Sequence, residues 1–460
     1  MSIRHVPVIV SAIACLATAP MAAQQPGGRI TVPYQTFTLP NGLNVILHED
    51  HSVPVVSVNV WYYAGSANEK PGRTGFAHLF EHLMFEGSGH VKEGQFDNLL
   101  EAAGGDNNAS TANDRTNYYI NVPSNALDLA LYLESDRMGY LLDVVSEAMV
   151  NGQRDVVKNE RRQSYENAPY GMAEPRIYEL MYPKTHPYHW PVIGYMEDLT
   201  AASAEDVREF FRKYYAPQNA SLVVAGDINP AEARKRIEYW FADIKPGKNA
   251  DPIEVPSVGL PGVVTETLTD RVQLPRLYLV WLSPAQYRPG DAELDVAASV
   301  LAGGKNSRLY KRLVYDLQVA QDVTAYQESA GLSSLFRIEV TARPSQDAPA
   351  QTLAKLKALV DEELAKLRDN PPTDREVQRV LNQTEASFYS RMERVGGFGG
   401  KADQLNGYRF ATGNPDYFNE DLARYLALSP NDIQAAVRRW LPTDRRVELS
   451  VVPAPKEGGK

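Results

Sequence analysis

The stretch Phe76-Ala-His-Leu-Phe-Glu-His-Leu-Met-Phe85 places two histidines and a glutamate among strongly apolar neighbours. Phe76, Leu79, Phe80, Leu83, Met84 and Phe85 predict a helix that is largely buried. Residues four apart share one helical face, so His78 and His82 can aim two imidazoles at one point. Glu81, three residues after His78, sits on nearly the same face. Buried polar groups without partners are costly, and a single metal ion would satisfy all three. Two histidines seldom hold a metal such as zinc, so a second segment must bring a further ligand. The fold is constrained accordingly: this helix has to pack against another element that carries a donor. The plainer alternative is a helix whose histidines serve packing alone.

The order H-x-x-E-H is the inverted form of a zinc-hydrolase motif, in which the glutamate takes a proton from water at the metal. A source for the further ligand is the polar segment Gly152-Gln-Arg-Asp-Val-Val-Lys-Asn-Glu-Arg-Arg-Gln-Ser-Tyr-Glu-Asn167, which reads as a helix. Val156 and Val157 mark its inner face. Glu160 follows them by four and three residues and falls on that face, whereas Asp155 and Glu166 align less well. Glu160 is therefore the candidate third ligand, the alternative being a half-buried glutamate paired with an arginine.

The first 23 residues have the layout of an export signal: Arg4, an apolar core from Val6 to Ala19, and small residues at Ala22-Ala23. That core is too short to span a membrane, and no later stretch is long enough. Cys15 is the only cysteine and would leave with the signal. The mature chain would then hold no thiol, which suits a bacterial periplasm. A net charge of −10 argues against nucleic-acid binding.

Length favours at least two domains. Strands are expected at Thr36–Leu39, Leu43–Glu49 and Val55–Ala64, followed by the motif helix and a helix near Gln95–Ala103. Further helices are expected through about Leu142, over Glu147–Glu166 and Glu205–Tyr214, with a strand at Ala220–Ala225. A Pro/Gly-rich passage, 246–263, reads as a linker between a metal-bearing domain (24–245) and a second domain (264–460). There the pattern restarts: Arg276-Leu-Tyr-Leu-Val-Trp-Leu282 echoes Val58-Asn-Val-Trp-Tyr-Tyr63. The fold class expected is α+β, two similar halves, each an antiparallel sheet with helices on one side. The helix expected over Asp291–Ala302 has no histidine, so the second half cannot bind zinc in the same way.

With these residues in view, the chain resembles the pitrilysin/insulinase family of zinc peptidases. The resemblance is to the short branch that includes the mitochondrial processing peptidase β-subunit and bacterial periplasmic relatives. It implies that His78, His82 and Glu160 bind one Zn2+ and that Glu81 is the general base. Another family feature is a glutamate seven residues before the third ligand; here that position is Gln153. The segment Asn108-Ala-Ser-Thr111 resembles the exposed sheet edge with which relatives pair a peptide substrate, so Asn108, Ala109, Ser110 and Thr111 are implied substrate contacts.

Relatives that grip substrate from the second domain carry an arginine and, seven residues later, a tyrosine. Anchored on Ser307-Arg308-Leu309, these places hold Val314 and Gln321; reading Arg308 and Tyr315 instead breaks the anchor. The resemblance thus implies a homologous partner subunit that supplies the pair. The function expected is a zinc endopeptidase cleaving short or unfolded peptides in the periplasm. The rival is a non-catalytic periplasmic binding or assembly subunit that keeps the fold as scaffold. The histidines at 48, 51, 90, 186 and 189 lack the spacing for a second metal site.

Overall fold

The computed structural model describes residues 28–248, 250 and 252–455. The segment read as an export signal, with Arg4 and Cys15, lies outside them. From Val32 onward the chain forms one compact unit.

The first half opens with β1 (Gln35–Thr38), β2 (Asn44–Glu49), β3 (Val55–Tyr62), α1 (Phe76–Leu83), α2 (Gln95–Ala103), β4 (Asp106–Thr111) and β5 (Thr116–Pro123). It continues through α3 (Leu127–Tyr140), α4 (Glu147–Arg161), α5 (Ala173–Met181), α6 (Met196–Ala201), α7 (Ala204–Tyr214), β6 (Ala220–Gly226) and α8 (Pro230–Phe241). Among the described residues, none between α8 and β7 (Val264–Asp270) belongs to a helix or strand. The second half then has β8 (Arg276–Ser283), α9 (Asp291–Ala302), β9 (Ala320–Glu328), β10 (Ser334–Ala342), α10 (Pro349–Asp369) and α11 (Asp374–Arg391). It ends with α12 (Lys401–Thr412), α13 (Phe418–Leu426), α14 (Pro430–Trp440) and β11 (Val447–Pro453).

The sheets run β1-β2-β6-β3-β5-β4 and β7-β11-β8-β10-β9. Without β1 the two orders match strand for strand, so the halves are similar. Each sheet is antiparallel except for one pair, β2 with β6 and β7 with β11. In both, a long excursion through helices separates the parallel partners, as such a pair requires. Local chemistry sets the helix starts. Ser146 Oγ accepts from the Met149 N–H at 3.2 Å to begin α4, and Ser203 with Asp206 forms a capping box on α7.

Alternation along β3 explains what covers each face. Val56, Val58, Val60 and Tyr62 enter the core shared with Leu79, Phe80, Leu83, Leu131 and Phe211. Ser57, Asn59 and Trp61 point the other way and are also buried. Their cover is α12 from the second half: Asn406 donates to the Asn59 backbone carbonyl at 3.0 Å and its side-chain oxygen at 2.7 Å, and accepts from Ser221 Oγ at 2.5 Å. The exchange is reciprocal. Ala173, Ile177, Tyr178 and Met181 of α5 pack on Tyr278, Val280, Leu449 and Val451 of the second sheet. Beyond the helices expected on one side of each sheet, the opposite face thus takes a helix from the other half. That seam is polar on the first sheet and apolar on the second.

Asp295 of α9 accepts from Tyr425 Oη at 2.7 Å. Burial pushes its carboxyl up to about 7. The folded value lies above the unfolded one, so stability from this group is complete below about pH 4 and is lost as pH rises through about 7. Asp295→Asn should therefore have little effect at pH 4 and stabilise the fold at pH 8, by about 2 kcal/mol allowing for partial exposure. Thermal midpoints of both proteins at the two pH values check this.

Candidate metal centre

Two devices fix α1. Gly75, its N-cap, is left-handed (φ +83°) and meets Gly194, also left-handed (φ +76°). A Cβ on Gly194 would fall 2.4 Å from the Gly75 Cα, so no side chain fits. The buried Glu69 carboxylate then accepts from the N–H groups of Gly75 at 3.0 Å and Ala77 at 2.7 Å. It supplies acceptors for the otherwise free first turn, and negative charge suits that end of the helix. Burial raises the Glu69 pKa, and the two N–H donors oppose the rise. Glu69→Ala would leave buried donors unmade and is expected to cost about 2–3 kcal/mol in chemical denaturation.

Phe76, Ala77, Leu79, Phe80 and Leu83 are buried, which leaves His78, Glu81 and His82 on the remaining, half-buried face. α4 lies against that face. Its inner side carries Val150, Val157 and Arg161, and the Arg161 guanidinium donates to the Gly194 carbonyl at 2.6 Å. Val156, expected inside with Val157, is 46 % exposed. The two valines are turned by about 100° from one another and flank Glu160 on either side, Val157 toward the core and Val156 toward solvent, so Glu160 stands at the border of the inner face and is itself only half-buried. Just past Glu160 the chain widens into a π-helical turn, Arg162–Glu166, a distortion common beside functional sites.

Glu160 Oε2 lies 3.3 Å from His82 Nε2 and 3.8 Å from His78 Nε2. One ligand atom from each of the three lies within 4.8 Å of the others. Zinc bonds of about 2.0–2.2 Å in a tetrahedron separate donors by roughly 3.3–3.5 Å, so the spacing fits with small adjustments. Two imidazole nitrogens and one carboxylate oxygen leave a fourth position open, the pattern of catalytic zinc sites. Burial, aided by His82, pushes the His78 pKa down, and contact with His82 holds Glu160 below the usual carboxylate range. Neutral imidazole and ionised carboxylate are the forms that ligate metal. Among the described residues no other three His, Cys, Asp or Glu side chains converge in this way.

Glu81 stands beside this cluster, and its Oε2 accepts from Thr111 Oγ1 at 2.6 Å. Burial raises its pKa while the Thr111 hydroxyl opposes the rise. Thr111 ends β4, the edge strand of the first sheet, which among the described residues pairs only with β5. The Ala112 N–H donates to the Arg115 carbonyl across the turn at 2.9 Å. Counting back through the register, the alternation of an antiparallel ladder turns the backbone groups of Ser110 and Asn108 toward β5 and those of Ala109 and Thr111 outward. Consistently, the Ala109 N–H is met by the Asn108 side-chain oxygen at 2.8 Å rather than by β5. The structure thus brings Thr111 to the metal cluster and keeps Asn108, Ala109 and Ser110 on the same free edge.

The Gln153 amide bonds Glu86, whose carboxyl is raised by burial and feels His82 electrostatically. A carboxylate therefore lies near the cluster on the α1 side instead of at the α4 position. In the second half, Arg308 is held by both Glu376 oxygens at 2.7 and 2.9 Å, Val314 is buried, Gln321 is exposed, and Tyr315 is 61 % exposed.

Comparison with known proteins gives a consistent result. Two family models match, described as Insulinase (Peptidase family M16) over residues 44–187 and Peptidase M16 inactive domain over residues 201–384. The chain is 31 % identical to the zinc protease PqqE of Helicobacter pylori, over 78 % of this chain and 80 % of that one. Among solved structures, a protease from Helicobacter pylori superposes with a TM-score of 0.83 at 28 % identity, covering 92 % of this chain and all of the other. The periplasmic protease PqqL of Escherichia coli matches in fold, with a TM-score of 0.74 at 18 % identity; 92 % of this chain covers 48 % of that longer one. On this likeness and the two matched segments, the chain belongs to the insulinase family, peptidase family M16.

Proposed function

We propose that this chain is a zinc-dependent endopeptidase that hydrolyses peptides or unfolded polypeptides, acting as the metal-bearing subunit of a two-subunit periplasmic peptidase. The observation that carries the reading is the convergence of His78, His82 and Glu160 beside Glu81, at the end of a free strand edge. Bound zinc supplies Lewis acidity toward a carbonyl and lowers the pKa of water toward neutrality. The chain's own groups do the rest. The outward backbone groups of Ala109 and Thr111 bind an extended peptide as an added strand, which reads main chain more than side chain. Glu81 accepts the proton of the attacking water on its carboxylate and passes it to the leaving amine nitrogen. The Thr111 hydroxyl orients Glu81 during both transfers. One residue therefore ties the peptide register to the base.

A partner carrying an Arg/Tyr pair is supported by the engagement of Arg308 with Glu376. The two-part length of PqqL, of which this chain spans about half, also favours it. Export is supported by the N-terminal charge and apolar pattern; among the described residues no helix is long and apolar enough to cross a membrane. The test is cleavage of an unfolded polypeptide by purified protein, alone and mixed with a homologous subunit. Activity abolished by a chelator and restored by zinc is expected. Chelator-insensitive cleavage, or none under either condition, would overturn the reading.

A further inference from the structure

We infer that Asp403 of α12, contributed by the half that brings none of the proposed metal ligands, is a positioning residue for the peptide-pairing strand β4. The inference rests on the peptidase reading, because it concerns how that strand is held.

Asp403 lies under the polar face of the first sheet. Its Oδ1 accepts from three side chains of that sheet: Asn117 Nδ2 at 2.9 Å, Trp61 Nε1 at 3.0 Å and Asn59 Nδ2 at 3.3 Å. Its Oδ2 accepts from the Gly399 N–H at 2.9 Å. The loop before it fits closely: a Cβ on Gly396 would fall 1.9 Å from Asn121 Oδ1 and 2.6 Å from Ser57 Oγ. Asp403 is thus pinned against β3 and β5, and each of its bonds is charge-assisted.

The consequence reaches β4 through Asn117. An asparagine amide presents a donor on one side and an acceptor on the other. By accepting one Nδ2 hydrogen, Asp403 fixes which way the amide points and leaves Oδ1 facing β4. That oxygen accepts from Ser110 Oγ at 2.6 Å and from Arg115 Nη1 at 3.0 Å. The same Arg115 nitrogen donates to the Ser110 carbonyl at 2.8 Å and the Ser110 hydroxyl at 2.6 Å, while its guanidinium lies 5.1 Å from the Trp61 ring centroid. Trp61 is itself bonded to Asp403, so both supports of Ser110 trace back to one carboxylate. Ser110 stands between Ala109 and Thr111, the residues whose backbone faces outward, and Thr111 bonds Glu81. Without the Asp403 charge, the Asn117 amide is free to turn its NH2 toward Arg115, and the three-way hold on Ser110 is lost. An edge strand lacks a neighbour on one side to restore its position.

The experiment uses the full chain with its partner if one is required. Asp403→Ala and the milder Asp403→Asn are compared with wild type in KM and kcat on one unfolded peptide, in zinc content, and in amide hydrogen exchange. For Asp403→Ala, KM should rise at least tenfold with a smaller change in kcat and full zinc content. Ladder amides of Asn108 and Ser110 should exchange at least tenfold faster, with little change in α3 or β6. Asp403→Asn keeps one acceptor oxygen and should fall between the two, which keeps the proposal testable if the alanine variant does not fold. KM within twofold of wild type, or unchanged exchange in β4, would overturn the inference. A wild-type protein without zinc-dependent cleavage would overturn the peptidase reading instead, and hydrogen exchange would then decide the structural link alone.

Discussion

Glu81→Gln is expected to keep its zinc and to lose roughly a thousandfold in kcat, within the usual range for removal of a general acid–base group. Glutamine has nearly the same shape, and its side-chain oxygen can still accept from the Thr111 hydroxyl that now meets Glu81 at 2.6 Å. What it lacks is a site for the proton. The α1 scaffold is untouched, because Glu81 lies on the face left open by Phe76, Leu79, Phe80 and Leu83. Single-turnover cleavage of a quenched fluorescent peptide, with zinc measured on the same sample, separates chemistry from metal loss. Activity within tenfold of wild type at full zinc would remove Glu81 as the base.

His82→Ala is expected to abolish stable metal binding. Loss of an outer-shell partner weakens metal affinity about 10–100-fold, and loss of a direct ligand should exceed that. His78 and Glu160 alone would offer two donors 3.8 Å apart, too few for a structured zinc site. His82 projects from the half-buried face, so the fold should persist with a thermal midpoint within a few degrees. Zinc per chain after dialysis against a weak chelator should fall from near one to near zero. Retention of zinc by the variant would place the ion elsewhere.

Much of this arrangement was legible along the chain because it is carried by local periodicity. The spacing of His78, Glu81 and His82 fixes their common face in any α-helix, and Val157 orients Glu160 the same way. The restart of the pattern at Arg276 anticipates the repeated sheet order. The features that were not legible join segments far apart in sequence. Asp403 meets Asn117 across 286 residues, and nothing in either neighbourhood signals the other. The polar residues Ser57 and Asn59 alternate with valines on β3, yet they are buried beneath α12 and the loop before it, and nothing in the strand announces that cover. Glu69 caps α1 from a preceding turn, where a lone glutamate gives no spacing cue. The parallel pairs in each sheet depend on which strands become neighbours after long excursions, which periodicity does not encode. Val156 shows the limit even within one helix: two adjacent valines gave a direction, but only one of them faces inward.

The central claim is that side chains from α1 and α4 close around one zinc ion. Anomalous diffraction recorded on either side of the zinc absorption edge, from crystals of purified protein supplied with one equivalent of zinc, tests it most directly. A single strong peak is predicted about 2.0–2.2 Å from His78, His82 and Glu160. No peak there, or a peak bound by other residues with Glu160 turned away, would contradict the account.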